Sequence, residues 1–167
     1  VNAALIIGGQ AVSASMGLSM ANMVDPSMGN VPVIAQFFVI CSTLIFLGLG
    51  GHVLVISLLL ESFELLPINS ALDLQGLLKL TIEWSAMMFV GAILIGLPLM
   101  ASLLFINIGL GVITRTAPAL NIFAVGFPAM ILAGIVLLSL SMTSIGYRIQ
   151  WLWQESFEII GQALGIR

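Results

Sequence analysis

The sequence predicts an all-α fold of long, kinked, membrane-associated helical hairpins. Hydrophobic residues make up 60% of the 167-residue chain and charged residues only 7%, with a mean hydropathy of +1.24. Soluble domains carry about 25% charged residues, so a water-soluble globule is excluded. Residues 33–60, 84–114 and 116–147 form three blocks without Asp, Glu, Lys or Arg. Each exceeds the roughly 20 residues that an apolar helix needs to cross the hydrocarbon core. Pro98 and Pro128 fall inside the last two blocks, where a missing N–H and a ring clash bend a helix.

The first segment, 1–23, has a helical pattern rich in small and polar residues. Gly9, Ser13, Gly17 and Ala21 recur every four residues, a ladder that lets helix backbones approach closely. Met16, Met20 and Met23 follow i, i+4, i+7 spacing and share another face. Asn2, Gln10 and Asn22 make this a poor lipid-facing helix, so it is expected to pack inside an assembly. Residues 24–32 break it: Pro26 and Pro32 disfavour helix at Asp25 and Val31, and Gly29-Asn30 supplies turn chemistry.

Residues 33–60 read as one long apolar helix, in which Gly48-Leu49-Gly50-Gly51-His52 marks a bend or a tight helix crossing. The longest polar stretch follows at 61–83, with a turn at Leu66-Pro67-Ile68-Asn69-Ser70 and a new helix from Asp73. That helix runs to about 114, with interruptions expected near Gly91, Gly96 and Pro98. A short hinge, Thr114-Arg115-Thr116-Ala117-Pro118, folds it back as an antiparallel hairpin with a fourth helix at 119–144, kinked at Gly126-Phe127-Pro128. The tail, 146–167, is amphipathic, with Ile149, Leu152, Trp153, Phe157 and Ile160 apolar and Arg148, Glu155 and Glu158 charged. Trp151 and Trp153 suit an interfacial position, and the tail reads as an interface or anchoring element.

Several function classes fall away on composition. A net charge of −3 with four basic residues argues against nucleic acid. Cys41 is alone, so neither an intramolecular disulfide nor a cysteine metal cluster is available. The sequence contains no H-E-x-x-H, no G-x-S-x-G and no phosphate-binding Gly-Lys-Ser/Thr, so neither catalysis nor a cofactor is expected. His52 reads as a packed or hydrogen-bonded residue, and Glu61, Glu64, Asp73 and Glu83 as a solvated face. A start at Val1 without a basic n-region reads as a piece of a longer protein. Arg115 lies on one side of a four-crossing arrangement and Lys79, Arg148 and Arg167 on the other. This favours a cytoplasmic 61–83 loop and tail.

The anomaly in this apolar chain is the stretch 16–32. It carries four of the nine methionines, the first acidic residue and two of the six prolines. Non-helical backbone at membrane depth persists only when buried in protein or lining a water-filled cavity. Methionine is long, unbranched and polarizable, so it fills an irregular gap and then gives way. The combination points to a compliant plug or constriction. The plainer reading of Met16, Met20, Met23 and Met28 is ordinary helix packing, and of Asp25 a cap or turn residue. For Arg115 the alternatives are helix-end capping, headgroup contact, or an ion pair with an acid of a neighbouring subunit.

Several motifs converge on one family. The stretch Met16-Gly17-Leu18-Ser19 with Val24-Asp25-Pro26 and Val31-Pro32, the Gly51-His52 element and Leu66-Pro67-Ile68 contribute. Above all, Arg115-Thr-Ala-Pro-Ala-Leu-Asn-Ile-Phe-Ala-Val-Gly-Phe-Pro128 resembles the FliR family, export-apparatus proteins of bacterial flagella. The resemblance covers essentially the whole chain and corresponds to the C-terminal two-thirds of that family. Ala119 departs from it, standing where the pattern has Gln. The injectisome counterpart, the SctT family, is the close relative. Gly126-Phe127-Pro128 with Gly51-His52 favours the flagellar branch.

The resemblance implies hairpins packed in a hetero-oligomeric helical assembly in the bacterial inner membrane and flagellar basal body. FliR-like proteins join FliP-like and FliQ-like subunits as the gate of the type III export channel. An FlhB-like subunit associates, membrane lipid surrounds the base, and unfolded proteins pass through. A loop of the FliR-like subunit fills the closed pore, and residues 16–32 match it by position. On that reading Met16, Met20, Met23 and Met28 form the gasket, with Met20 and Met23 nearest the axis. Asp25, Pro26, Gly29 and Pro32 shape the loop, and Arg115 is the inter-subunit ion-pair candidate. The competing classes are a small-molecule or ion transporter, which needs polar binding groups within the spans, and a purely structural membrane scaffold, which needs no compliant loop.

Overall fold

The first helix, α1 (Asn2–Ser15), is the most buried element of the chain, enclosed by partners on two sides. It is followed by α2 (Val33–Gly48), α3 (Gly51–Leu65), α4 (Leu74–Thr116) and α5 (Ile122–Ala163). The computed structural model describes residues 1–18, 32–65, 74–116 and 122–164, and all regular structure among them is α-helical. The all-α expectation holds.

Four helices form the core. α1 packs against α2 and α4, α4 packs against α5, and α2 closes the set against α5. Gly9 faces Ala35 while Asn2 lies beside Ser42, so α1 and α2 run antiparallel. Gly91 touches Leu152 and Ala4, and Gly134 touches Met16, so α5 runs antiparallel to both α1 and α4. Leu5, Val12, Phe38, Ile95, Leu103 and Ile149 are almost wholly buried. Burying a side chain such as Phe38 contributes about 1.5–3 kcal/mol.

Small residues govern the α1 packing, as their four-residue spacing predicts. A Cβ at Gly9 would lie 2.5 Å from Cα and 2.8 Å from N of Ala35, both backbone atoms. Glycine inside a helix costs about 1 kcal/mol relative to Ala. Here that cost is offset by the close approach of two helices, which any side chain would push apart.

Three boundaries differ from expectation. First, α1 ends at Ser15 rather than near Met23. Gly17 sits in the left-handed region at φ +79, with Leu18 N–H donating to Ser13 C=O at 3.1 Å and Gly17 N–H to Ala14 C=O at 3.0 Å. This pair of bonds is a Schellman closure, which satisfies the last carbonyls and turns the chain away. Met16 therefore stands at the C-cap, past the last residue of α1.

Second, α4 is unbroken from Leu74 to Thr116, with Pro98 inside it. Gly91 and Gly96 do not interrupt it. They admit neighbours, Leu152 and Ala4 at Gly91 and the Gly8 carbonyl at Gly96. Third, the tail is no separate element, since α5 continues through it to Ala163. Ile145, Ile149, Leu152 and Ser156 are buried there.

The expected bend in the second segment is present. α2 and α3 diverge by 65° across Leu49 and Gly50, and Gly50 is left-handed at φ +71. α3 contacts α2 and otherwise exposes apolar side chains on every face, among them Val53, Ile56, Leu60 and Phe63.

Among the described residues two helices are long and apolar enough to cross a membrane, at 75–116 and 125–163, and the bent pair α2 and α3 makes a third candidate. At 1.5 Å per residue α4 is about 65 Å long, roughly twice a ~30 Å hydrocarbon core. Hydroxyls along these helices are satisfied locally. Thr81 donates to Leu77 C=O, Ser102 to Pro98 C=O and Ser139 to Ile135 C=O. Bonded this way, they leave no orphan donor for an apolar environment.

Candidate functional site

The candidate site is the stretch of chain between α1 and α2, and the described residues supply its two roots. At the first root Met16 is the C-cap of α1 and only 1% exposed. Its side chain lies across α5 at Gly134, where a Cβ would collide with Cε and meet Cγ at 2.7 Å and Sδ at 2.8 Å. Gly17 follows with the Phe127 ring 3.3 Å from its Cβ position, and Leu18 packs against the core. The flexible thioether of Met16 fills the gap that Gly134 opens. Met16 is thus a packing residue of this chain, and the root is stapled to the first third of α5.

At the second root Pro32 caps α2 with φ −55 and ψ 137, and its C=O accepts from Gln36 N–H at 3.1 Å. Proline suits this place because its ring presets φ and no N–H is needed there. Val33 points outward at 71% exposure, while Ile34, Ala35 and Phe38 turn inward. Met20, Met23, Asp25, Pro26, Met28 and Gly29 lie outside the described residues. Because α1 and α2 are antiparallel, both roots emerge at the same end of the four-helix core. The hairpin of α4 and α5 extends past that end, exposing Leu104, Phe105, Ile108, Val112 and Val125.

Arg115 stands in the last turn of α4 near the tip of this hairpin, exposed to the surroundings. A cation there is favoured by the negative end of the helix dipole. Among the described residues the only ion pair is Lys79–Glu83 at 3.8 Å, exposed on both sides, so Arg115 has no acidic partner within them. Glu61, Glu64 and Glu83 are exposed, as a solvated face requires, and Asp73 lies outside the described residues. His52 is exposed rather than packed, because the bend after Gly50 turns α3 away from the core. No group of three His, Cys, Asp or Glu among the described residues is placed to hold a metal.

A polar relay behind the roots escaped sequence reasoning. Trp153 Nε1–H donates to Ser42 Oγ at 2.9 Å, and Ser42 Oγ–H donates to Asn2 Oδ1 at 3.4 Å, joining α5, α2 and α1. The Trp153 ring also stacks on Phe157 and lies 4.6 Å from the Phe46 ring. Trp153 is therefore an internal tie rather than an interfacial anchor. A Ser in the middle of an apolar run was the available signal.

A sequence profile for the family described as Bacterial export proteins, family 1, matches residues 1–156. The chain belongs to this family. The flagellar biosynthetic protein FliR of Escherichia coli strain K12 is 35% identical over 164 residues, covering 97% of this chain and 62% of its own length. FliR of Pectobacterium carotovorum is also 35% identical, over 163 residues and the same shares. FliR of Aquifex aeolicus strain VF5 is 32% identical over 156 residues, with 93% of this chain and 60% of its own length covered. The chain spans about three-fifths of the length of these relatives. Membership of the bacterial export family agrees with the FliR-like motif order, including the element from Arg115 to Pro128.

Proposed function

We propose that this chain is a core subunit of the flagellar type III protein export gate. It acts beside FliP-like, FliQ-like and FlhB-like subunits in the inner membrane of the basal body, and unfolded flagellar proteins pass through the assembly. Residues 19–31 close the path, with Met20, Met23 and Met28 as the gasket. Asp25, Pro26 and Gly29 shape the loop, and Pro32 sets its exit into α2. Met16 works at the base, holding the loop to α5. Arg115 pairs with an acidic residue of a neighbouring subunit.

The observation that carries this reading is the firm anchoring of the chain just before residues 19–31. Met16 is buried over Gly134 and Gly17 turns the chain out of α1. A loop so rooted moves without unpacking the helices beneath it. Apolar side chains in a narrow pore exclude water and ions by dewetting, and methionines yield to a passing chain. No nucleotide-binding motif is present in the sequence, so opening draws its energy from elsewhere.

The test is a full-length protein carrying Met20→Gly, Met23→Gly and Met28→Gly, or lacking residues 20–28, expressed with its partners. The complex is expected to assemble, judged by co-purification, yet to leak ions or small solutes across the membrane. An assembled complex that stays sealed rules out the plug. Loss of export together with loss of assembly supports the scaffold reading instead.

A further inference from the structure

We propose that Gly50 and Gly51 form a two-state hinge, latched by Phe46, about which α3 changes its angle while the four-helix core stays fixed. In the structure α3 leaves α2 at 65°. The bend rests on one left-handed residue, Gly50 at φ +71, and on the backbone of Gly51 lying against the Phe46 ring. A Cβ at Gly51 would collide with Cε2 of that ring and lie 2.9 Å from the Phe46 carbonyl oxygen. Positions 46 and 51 of a continuous helix are about 140° apart around the axis, so this contact belongs to the bent form alone. Phe46 in turn lies 4.6 Å from Trp153, which ties the latch to α5.

The alternative form is equally well built. A continuous helix would pair Gly50, Gly51 and His52 N–H with the carbonyls of Phe46, Leu47 and Gly48. The bend forfeits that ladder, and Gly50 N–H donates to Leu47 C=O at 3.1 Å instead. Straightening regains helix hydrogen bonds, whose loss is costly in apolar surroundings. Bending regains ring packing. α2 and α3 together are apolar enough for a single span, and α3 has appreciable contacts with α2 only among the described helices. Apart from the Phe46 latch, little packing holds its angle. Gly48 lies within α2 with open space around its Cβ position, so it takes no part in the choice.

Spin labels at Ile40→Cys and Phe63→Cys, in a full-length Cys41→Ser background within the assembled membrane complex, read the angle as a distance. The Cα separation is about 29 Å when bent and about 35 Å when straight, at 1.5 Å per residue. Wild type is expected to populate the shorter distance. Gly50→Ala, which puts a side chain on the left-handed residue, and Gly51→Ala, whose Cβ would displace the Phe46 ring, should each shift the bent-to-straight ratio about fivefold or more toward the longer one, the scale of one unfavourable left-handed residue. Phe46→Leu, which keeps the helix but removes the ring, should shift it the same way, and Gly48→Ala should leave it unchanged. A distance unmoved by Gly50→Ala, Gly51→Ala and Phe46→Leu overturns the hinge. So does an equal shift with Gly48→Ala, which would mark general helix stiffening.

Discussion

Trp153 on α5 donates its indole N–H to Ser42 on α2 at 2.9 Å, across 111 residues of sequence. Ser42 is fully buried, and its hydroxyl both accepts from Trp153 and donates to Asn2. Trp153→Phe, which takes the donor from the buried Ser42 oxygen, is expected to lower unfolding stability in detergent by about 1–3 kcal/mol, and Ser42→Ala, which strands the indole N–H, by a similar amount, since a buried polar group that loses its partner costs that much. The double variant should cost less than the sum of the two. Strict additivity in denaturant titrations would show that the bond contributes nothing.

Gly9 should tolerate nothing larger. Gly9→Ala gains about 1 kcal/mol in helix propensity, yet its Cβ would meet Ala35 backbone atoms that cannot rotate away. A net loss of about 1–3 kcal/mol is expected, the usual cost of overpacking. Gly109→Ala is the control, because its Cβ would meet open space. Thermal unfolding of the two variants should move in opposite directions.

Met16 and the methionines beyond it should separate by assay. Met16→Ala empties a buried site beneath α5 and is expected to cost about 2–5 kcal/mol of stability. Met20→Ala and Met23→Ala should leave unfolding unchanged while raising membrane leak. If Met16→Ala leaves stability unaltered, its burial over Gly134 is not what holds the loop root.

Gly17→Ala should act on the same root through the backbone. A non-glycine residue in the left-handed region costs about 1–2 kcal/mol, and the Phe127 ring adds a contact at 3.3 Å. Gly17→Asn, which tolerates that conformation better, should recover part of the loss in unfolding midpoint.

Arg115 tests the contact with neighbours. Arg115→Glu is expected to reduce co-purification of partner subunits, whereas Arg115→Lys should keep most of it. Equal recovery with both would leave only the helix-end role, worth about 0.3–1 kcal/mol.

Much of this fold is legible along the chain. The apolar blocks announce long helices, the Gly9 and Ser13 ladder announces close packing, and Gly48 to Gly51 announce a bend. These are local signals, because hydropathy, small side chains and missing Cβ atoms act wherever they stand. The end of α1 was misplaced because the ladder and the methionine spacing continue past it to Ala21 and Met23. What stops the helix is Gly17 turning left-handed as Leu18 packs into the core, and spacing does not encode that choice. The tail looked separate because charge returns at Arg148, yet α5 runs on, since its buried face continues through Ile149 and Leu152.

By itself, the sequence determined that this is an apolar, helical export-family chain with a methionine-rich stretch at 16–32. The tertiary structure alone decided that Met16 is buried against Gly134 at the end of α1, that Trp153 faces inward to Ser42, and that α3 turns away from the core. These depend on which helices meet. Gly134, Ser42 and Phe46 gain their roles only from neighbours far away in sequence, and no local pattern records that meeting.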